Sequence, residues 1–475
     1  MDQKKTIVVS LGWKFAERIS AQAITFVVSI IIARILEPSA YGLIAMVMVF
    51  ISIANVLVSS GLGNALIQKQ DADELDFSSV FFTQLAFSII LYMALFIAAP
   101  YAEMYYGVGY QGLSLVLRVV GLRIIISALN NVQHSVVARR MIFKKFFIAT
   151  LFGTIISAFV GVFLAYAGYG VWALVFQYLT NTVVDTIVLS FTLDWHPSAV
   201  FSLSRLKPLL SYGWRLLFTD LINAFLNNVR TLIIGKAYSS EDLAFYNKGE
   251  QFPSVIVTNI NSSLQSVLFP AMSNVQADLD KVKDILRKTI SLGCFVIFPM
   301  TYGFLAVADS VVVLLLTEKW IECVPYVQFF CISYSLRIIS TSCGQSIKAI
   351  GRSDIYMHSI LIYKIIETVS IVIAALISVK AIAIGTIINA VIIVLIQFYY
   401  NNRYIGYSVS ELTQDILPTV LLTVVMAIPV WFLNVFGNGI SMLILRIMTG
   451  AFIYVFVAWL TNNKSLKSLL NLFKR

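Results

Sequence analysis

Thirteen ionisable side chains interrupt stretches that are otherwise apolar enough for lipid. Eight are basic: Lys14, Arg18, Arg118, Arg123, Arg215, Arg230, Arg337 and Arg446. Five are acidic: Glu17, Asp185, Asp220, Glu250 and Glu367. A basic group at the centre of a bilayer costs about 2.5–3.5 kcal/mol on insertion scales, so such groups must face protein or a wet cavity. Helical geometry tests whether they converge. At about 100° per residue, Lys14, Arg18, Gln22, Thr25 and Ser29 fall within roughly 80° of arc. Arg215, Thr219, Asn223 and Arg230 do the same further along the chain. Guanidinium and ammonium walls bind anions, and the planar fork of arginine suits phosphate oxygens. Such walls disfavour a cationic drug. The expected cargo therefore carries phosphate or carboxylate, with Lys14, Arg18, Arg123, Arg215, Arg230 and Arg337 as the candidate binding residues. Glu17 and Asp220 lie off the stripes, where they would neutralise neighbouring arginines. Asp220 and Glu367 are the candidates for coupling movement to an ion. Lys14 and Arg446 have a second reading as snorkelling groups near span ends. Arg34 reads as an interface anchor, and Asp185 and Glu250 as structural.

Catalytic chemistry is not indicated. His134, His196 and His358 are isolated from one another and lack metal-ligand or triad spacing. Cys294, Cys323, Cys331 and Cys343 form no CxxC and read as buried small hydrophobes. Ser60-Gly61-Leu62-Gly63 is followed by no GK[ST], so it reads as close helix packing and not as a nucleotide loop. No cofactor, metal or ATP is expected. The tyrosines between Pro100 and Gly112 fit an aromatic belt.

The elements that position these groups follow from composition. Of 475 residues, 59% are apolar and 12% charged, against about 45–50% and about 25% in soluble domains. That excludes a soluble enzyme, a nucleic-acid binder and a disordered or collagenous chain. About fourteen stretches between residues 10 and 461 are long enough to span a membrane. The first runs too far to be a cleaved signal peptide and is read as a retained span. No polar stretch is long enough for a catalytic domain, so no enzyme is expected. With the N-terminus cytoplasmic, 21 of the 34 Lys+Arg fall on the inner side and 5 on the outer, as the positive-inside rule requires. The net charge of +10 is thus largely topological and implies no nucleic acid.

An internal repeat sets the domain plan. Gly12-Trp13-Lys14 recurs as Gly213-Trp214-Arg215, and Leu122-Arg123-Ile124-Ile125 as Leu336-Arg337-Ile338-Ile339. The matches pair span 1 with span 7 and span 4 with span 10. This predicts an all-α integral membrane protein of two parallel six-helix lobes plus two extra C-terminal helices. Residues 1–195 would form the N-terminal lobe and 196–209 a cytoplasmic amphipathic linker. Residues 210–405 would form the C-terminal lobe, and 406–475 spans 13 and 14 with a basic cytoplasmic tail. The polar stripes of spans 1 and 7 would line a central cationic cleft.

Four segments carry a resemblance. Ala33-Arg34-Ile35-Leu36-Glu37-Pro38-Ser39-Ala40-Tyr41-Gly42-Leu43 resembles the signature after the first span of polysaccharide flippases. Ser60 to Gln68 resembles the matching end of span 2, Ala138 to Lys145 the loop after span 4, and Ala349 to Asp354 the turn after span 10. The similarity covers the whole chain and is nearest to Wzx-type O-antigen or exopolysaccharide flippases, the colanic-acid-like branch above all. These belong to the multidrug/oligosaccharidyl-lipid/polysaccharide (MOP) superfamily. The resemblance implies a bacterial inner-membrane flippase with cytoplasmic termini. It would move undecaprenyl-pyrophosphate-linked saccharide for lipopolysaccharide or exopolysaccharide synthesis, by alternating access, beside a polymerase and export machinery. Arg123, Arg337, Arg215 and Lys14 would then neutralise the pyrophosphate, and Arg18 and Arg230 extend its path. The competing readings are a drug/cation antiporter of the same superfamily and a membrane polysaccharide polymerase or ligase.

Overall fold

The computed structural model describes residues 3–59, 61–437 and 439–473. Ser60, Lys474 and Arg475, used in the reading above, lie outside the described residues. The described chain is helical throughout, without strands. In order the helices are α1 (Gln3–Ile35), α2 (Pro38–Ser59), α3 (Leu62–Gln68), α4 (Glu74–Tyr106), α5 (Leu113–Arg140), α6 (Phe143–Tyr166), α7 (Val171–Thr192), α8 (Leu203–Ala237) and α9 (Ser240–Ser273). They continue with α10 (Leu279–Ala306), α11 (Ala308–Leu316), α12 (Val324–Ser335), α13 (Arg337–Ala349), α14 (Ser353–Ala375), α15 (Val379–Ile405), α16 (Val409–Phe432), α17 (Ile440–Leu460) and α18 (Lys464–Phe473). Two compact units divide the chain, Met1–Ala244 and Phe245–Arg475.

Among the described residues, twelve helical segments are long and apolar enough to cross a membrane. The expected count of fourteen is not reached on that measure, and the reason is chemical. The two helices left out are α8 and α9, 35 and 34 residues long. Arg215, Asp220 and Arg230 interrupt α8, while Glu241, Asp242, Lys248 and Glu250 interrupt α9. Both have the length to span, but α8 adds Asn223, Asn227 and Asn228 to its charges, and α9, uncharged after Glu250, carries Gln251, Asn259, Asn261, Ser262, Ser263 and Gln265, which lower its hydropathy.

Local signals explain the ends. Asp73 and Asp76 form a capping box on α4, and Ser408 and Glu411 another on α16. The Asp76 N–H holds the Asp73 carboxyl below its usual range. Glu103 accepts the N–H groups of Gly112 at 3.0 Å and Ser114 at 2.7 Å, which joins the end of α4 to the start of α5. Arg139 donates to the carbonyls of Leu66 and Lys69, at 2.8 and 2.6 Å, and of Gln70 at 2.6 Å. It thereby caps the free C-terminal carbonyls of α3. Lys69 pairs at 2.6 Å with the fully buried Asp76.

In the first unit, α8 packs on α2, α3 and α4 through small residues. A Cβ at Gly213 would lie 2.8 Å from the carbonyl carbon of Gly61, and Gly61 has φ +84°. Asn228 donates to Ser52 Oγ across the same seam at 3.3 Å. Glycine permits this backbone approach, as it does between membrane helices generally. Gly213→Val is therefore expected to cost about 1–3 kcal/mol through overpacking. Gly12→Ala, with open space around its Cβ position, is the matched control. Thermal unfolding of the purified protein followed by size-exclusion fluorescence checks both.

The second unit is centred on α10. Its buried face (Leu286, Ile290, Cys294, Ile297, Phe298) meets Ile338, Ile339, Cys343 and Phe398. All four cysteines are buried and free. Arg287 clamps the start of α16, bonding Asp415 through two nitrogens at 2.9 and 3.0 Å and Glu411 at 3.0 Å. Tyr407 donates to Asp415 at 3.0 Å. Burial first, and then the Asp415 charge, raises its hydroxyl well above the ordinary range, so it stays a donor.

Candidate functional site

Helix α1 presents its polar stripe outward. Lys14, Arg18 and Thr25 are exposed, with Gln22 and Ser29 half-buried. The Lys14 ammonium lies 5.3 Å from the Phe143 ring, and Lys144 of α6 lies 5.8 Å from the Trp13 ring. Trp13 itself packs on Phe147 at 5.3 Å. The first copy of the repeated tripeptide thus docks α1 on α6. The second copy serves differently. Gly213 is buried against Gly61, while Trp214 is 56% exposed beneath the Arg215 guanidinium at 5.9 Å. Arg215, Thr219 and Asn223 form an exposed polar row on α8, with Arg230 half-buried at its far end and Asp220 half-buried off the row.

Arg123 lies in a seam between α5 and α7. Its Nε donates to Thr182 Oγ1 at 2.9 Å, its Nη1 reaches Met48 Sδ of α2 at 4.0 Å, and the Tyr178 ring stands 5.7 Å away. Further along the seam, Asn130 donates to Asp185 at 3.1 Å and Thr186 at 3.0 Å, and Gln133 to Ser190 at 3.0 Å. His134 meets Asp185 at 3.3 Å. Positions 123, 130 and 134 share one face of α5, and 182, 185, 186 and 190 the facing side of α7. His134, isolated in the sequence, is thus paired inside the bundle. No local signal could have found this pair, because 51 residues separate its members.

In the second unit Arg337 opens α13 directly after a one-residue break at Leu336. Its guanidinium is exposed and lies 5.3 Å from the Tyr334 ring, while Tyr334 donates to Glu250 at 2.9 Å. The interruption, at which Leu336 keeps helical dihedrals, sets Arg337 within one apolar segment. A guanidinium there favours an anion. Gln345 donates to Gln265 at 3.1 Å, extending polar contact along α13 and α9. Glu367 is 8% exposed and accepts from Lys364 at 2.8 Å. Arg446, read as snorkelling outward, is instead fully buried. It donates to Ser310 Oγ at 2.8 Å and to the carbonyls of Leu433 and Gly437. Those carbonyls end a helix and lack ladder partners, which draws the guanidinium inward.

Of the expected binding residues, Lys14, Arg18, Arg123, Arg215 and Arg230 belong to the first unit and Arg337 to the second. Among the described residues, Lys14, Arg18, Arg123, Arg215 and Arg337 form no ion pair with a carboxylate within 4.0 Å. Cations without a carboxylate ion pair, set among twelve membrane-length apolar segments, define a multi-pass membrane protein with polar groups that lipid alone cannot accommodate.

The chain belongs to the polysaccharide biosynthesis protein family, whose sequence profile matches residues 31–325. It is 24% identical over 486 residues to the succinoglycan biosynthesis transport protein ExoT of Rhizobium meliloti (strain 1021), covering 98% of this chain and 96% of that one. It is 24% identical over 338 residues to the lipopolysaccharide biosynthesis protein WzxC of Escherichia coli (strain K12), covering 68% and 66%. Its fold matches the lipid II flippase MurJ in an inward closed conformation with a TM-score of 0.77, at 14% identity, over 96% of this chain and 99% of that one. The chain is thus a member of a polysaccharide-biosynthesis family that shares its fold with MurJ.

Proposed function

We propose that the protein carries an undecaprenyl-pyrophosphate-linked saccharide across the bacterial inner membrane by alternating access, with both termini cytoplasmic. The observation that carries this reading is the set of five in-span cations without carboxylate partners. Bare cations inside a membrane protein are costly, and a pyrophosphate supplies the missing charge. Arg337, Arg123, Arg215 and Lys14 would take the pyrophosphate, with Arg18 and Arg230 extending the path and the polyprenyl tail left in lipid. Asp220 and Glu367 are held as coupling residues. The family and the names of ExoT and WzxC support a saccharide cargo and a role in surface-polysaccharide synthesis, beside polymerase and export machinery.

The test is a leaflet-resolved assay in proteoliposomes with a fluorescent lipid-linked saccharide. Transfer to the protected leaflet without glycan joining is the expected result. Chain growth would identify a polymerase, and transport of a cationic dye alone would identify an antiporter.

A further inference from the structure

Four helices of the first unit converge on a cluster whose histidine and acids, His134, Asp185 and Glu17, the cargo path does not use. His134 of α5 contacts Asp185 of α7 at 3.3 Å, and Asn130 holds the same carboxylate oxygen at 3.1 Å. The edge of the His134 ring meets Phe146 of α6, with centroids 4.8 Å apart. Glu17 of α1 lies within electrostatic reach of both His134 and Asp185, and of Lys14 and Arg18 on its own helix. The charged groups around the cluster are Lys14, Glu17 and Arg18 from α1, His134 from α5, Asp185 from α7 and, beside Trp13, Lys144 from α6. The His134 and Asp185 side chains are 37% and 15% exposed, so the pair is not sealed inside the bundle. All of these groups lie toward the membrane face that carries the α5–α6 turn.

Histidine is the one side chain whose unperturbed pKa, about 6.5, puts its charge change in the physiological range. With a neutral imidazole, Glu17 and Asp185 offset part of the positive charge of Lys14, Arg18 and Lys144. Uptake of one proton by the ring, giving an imidazolium held by Asp185, makes the cluster more positive by one charge. We propose that His134, Asp185 and Glu17 form a proton-binding site linked to phosphate binding at Lys14 and Arg18. Protonation strengthens the attraction for a pyrophosphate, and by reciprocity a bound pyrophosphate holds the proton more tightly. The linkage half rests on the flippase reading above, and the proton-binding half does not.

The chain has three histidines, so the full-length protein labelled with [15N]histidine in nanodiscs gives three ring titrations. The signal missing in His134→Gln identifies this one. The midpoint of its titration is expected to move in Asp185→Asn, and by less in Glu17→Gln. Farnesyl pyrophosphate is expected to bind wild type roughly three- to tenfold more tightly below that midpoint than above it, a screened single-charge effect. His134→Gln should flatten this dependence. A His134 titration unmoved by both acid substitutions would overturn the proton site, and this is read without any cargo. Should His134→Gln fail to fold, the other two variants and the wild-type titration with and without farnesyl pyrophosphate decide. A midpoint unmoved by the probe, or pH dependence that survives in His134→Gln, would overturn the linkage. Absence of farnesyl pyrophosphate binding at every pH would defeat both the linkage and the pyrophosphate reading, while the proton site would still stand or fall on the acid variants.

Discussion

Arg337→Ala is expected to abolish export while the protein still inserts and folds. The side chain is exposed, forms no carboxylate ion pair among the described residues, and touches its surroundings mainly through the Tyr334 ring at 5.3 Å. Its removal leaves no buried acceptor stranded, so the folding cost is small. Its loss from a pyrophosphate contact is a different matter. Truncating one partner of a desolvated, hydrogen-bonded charge pair costs about 2–5 kcal/mol, and each 1.4 kcal/mol is a factor of about ten. A loss of transport of roughly 30-fold or more follows. Arg337→Lys keeps the charge without the fork and should retain part of the activity. Arg123→Ala should give a similar loss, and Thr182→Val separates its two roles. If Arg123 serves only to tie α5 to α7, removing its hydroxyl partner should hurt as much as removing the guanidinium. If it serves the cargo, Thr182→Val should be mild. Polysaccharide output from a deletion strain complemented with each variant, normalised to membrane protein, reads the result. Full output from Arg337→Ala would remove that residue from the mechanism.

Much of this architecture was legible from composition and spacing, and the residues that escaped did so for definable reasons. Twelve apolar segments announce themselves because lipid demands about 20 apolar residues at a time. Helices α8 and α9 have the length of a span but fall short in hydropathy, because charged and amide side chains interrupt their apolar residues. Helical periodicity places Lys14 with Arg18, and Arg215 with Asn223, on exposed rows, since a stripe depends only on local geometry. Contacts between helices distant in sequence carry no such periodic signal. Arg139 reads as one more inner-side positive charge, yet it caps α3 through three carbonyls 69–73 residues away. His134 and Asp185 are each unremarkable alone and become a pair only when α5 lies along α7. The break at Leu336 escapes for a related reason. Leu336-Arg337-Ile338-Ile339 continues the apolar run, with neither Gly nor Pro to mark an interruption.

Arg446→Ala should be the most destabilising single change among the in-span cations. Proximity to a span end suggests a group that reaches for the interface, and such a residue could be truncated with little effect. The structure buries it completely and surrounds it with acceptors. One terminal nitrogen donates to Ser310 Oγ of α11 at 2.8 Å, and the other to the carbonyls of Leu433 and Gly437 in the turn between α16 and α17. A single guanidinium thus fastens three elements of the second unit. Alanine would leave those acceptors unpaired where little water can replace the donor, at about 1–3 kcal/mol for each buried group left unsatisfied. A total near 3 kcal/mol or more is expected, together with the cavity left by a long side chain. Arg446→Lys would keep one donor contact and give an intermediate loss, whereas a purely electrostatic role would be rescued in full. The measurement is the thermal midpoint in detergent, with transport assayed on the folded fraction at low temperature. Because Arg446 is not one of the proposed cargo groups, the folded remainder should transport at the wild-type rate. An unchanged midpoint in Arg446→Ala would show that the turn between α16 and α17 is held by something else.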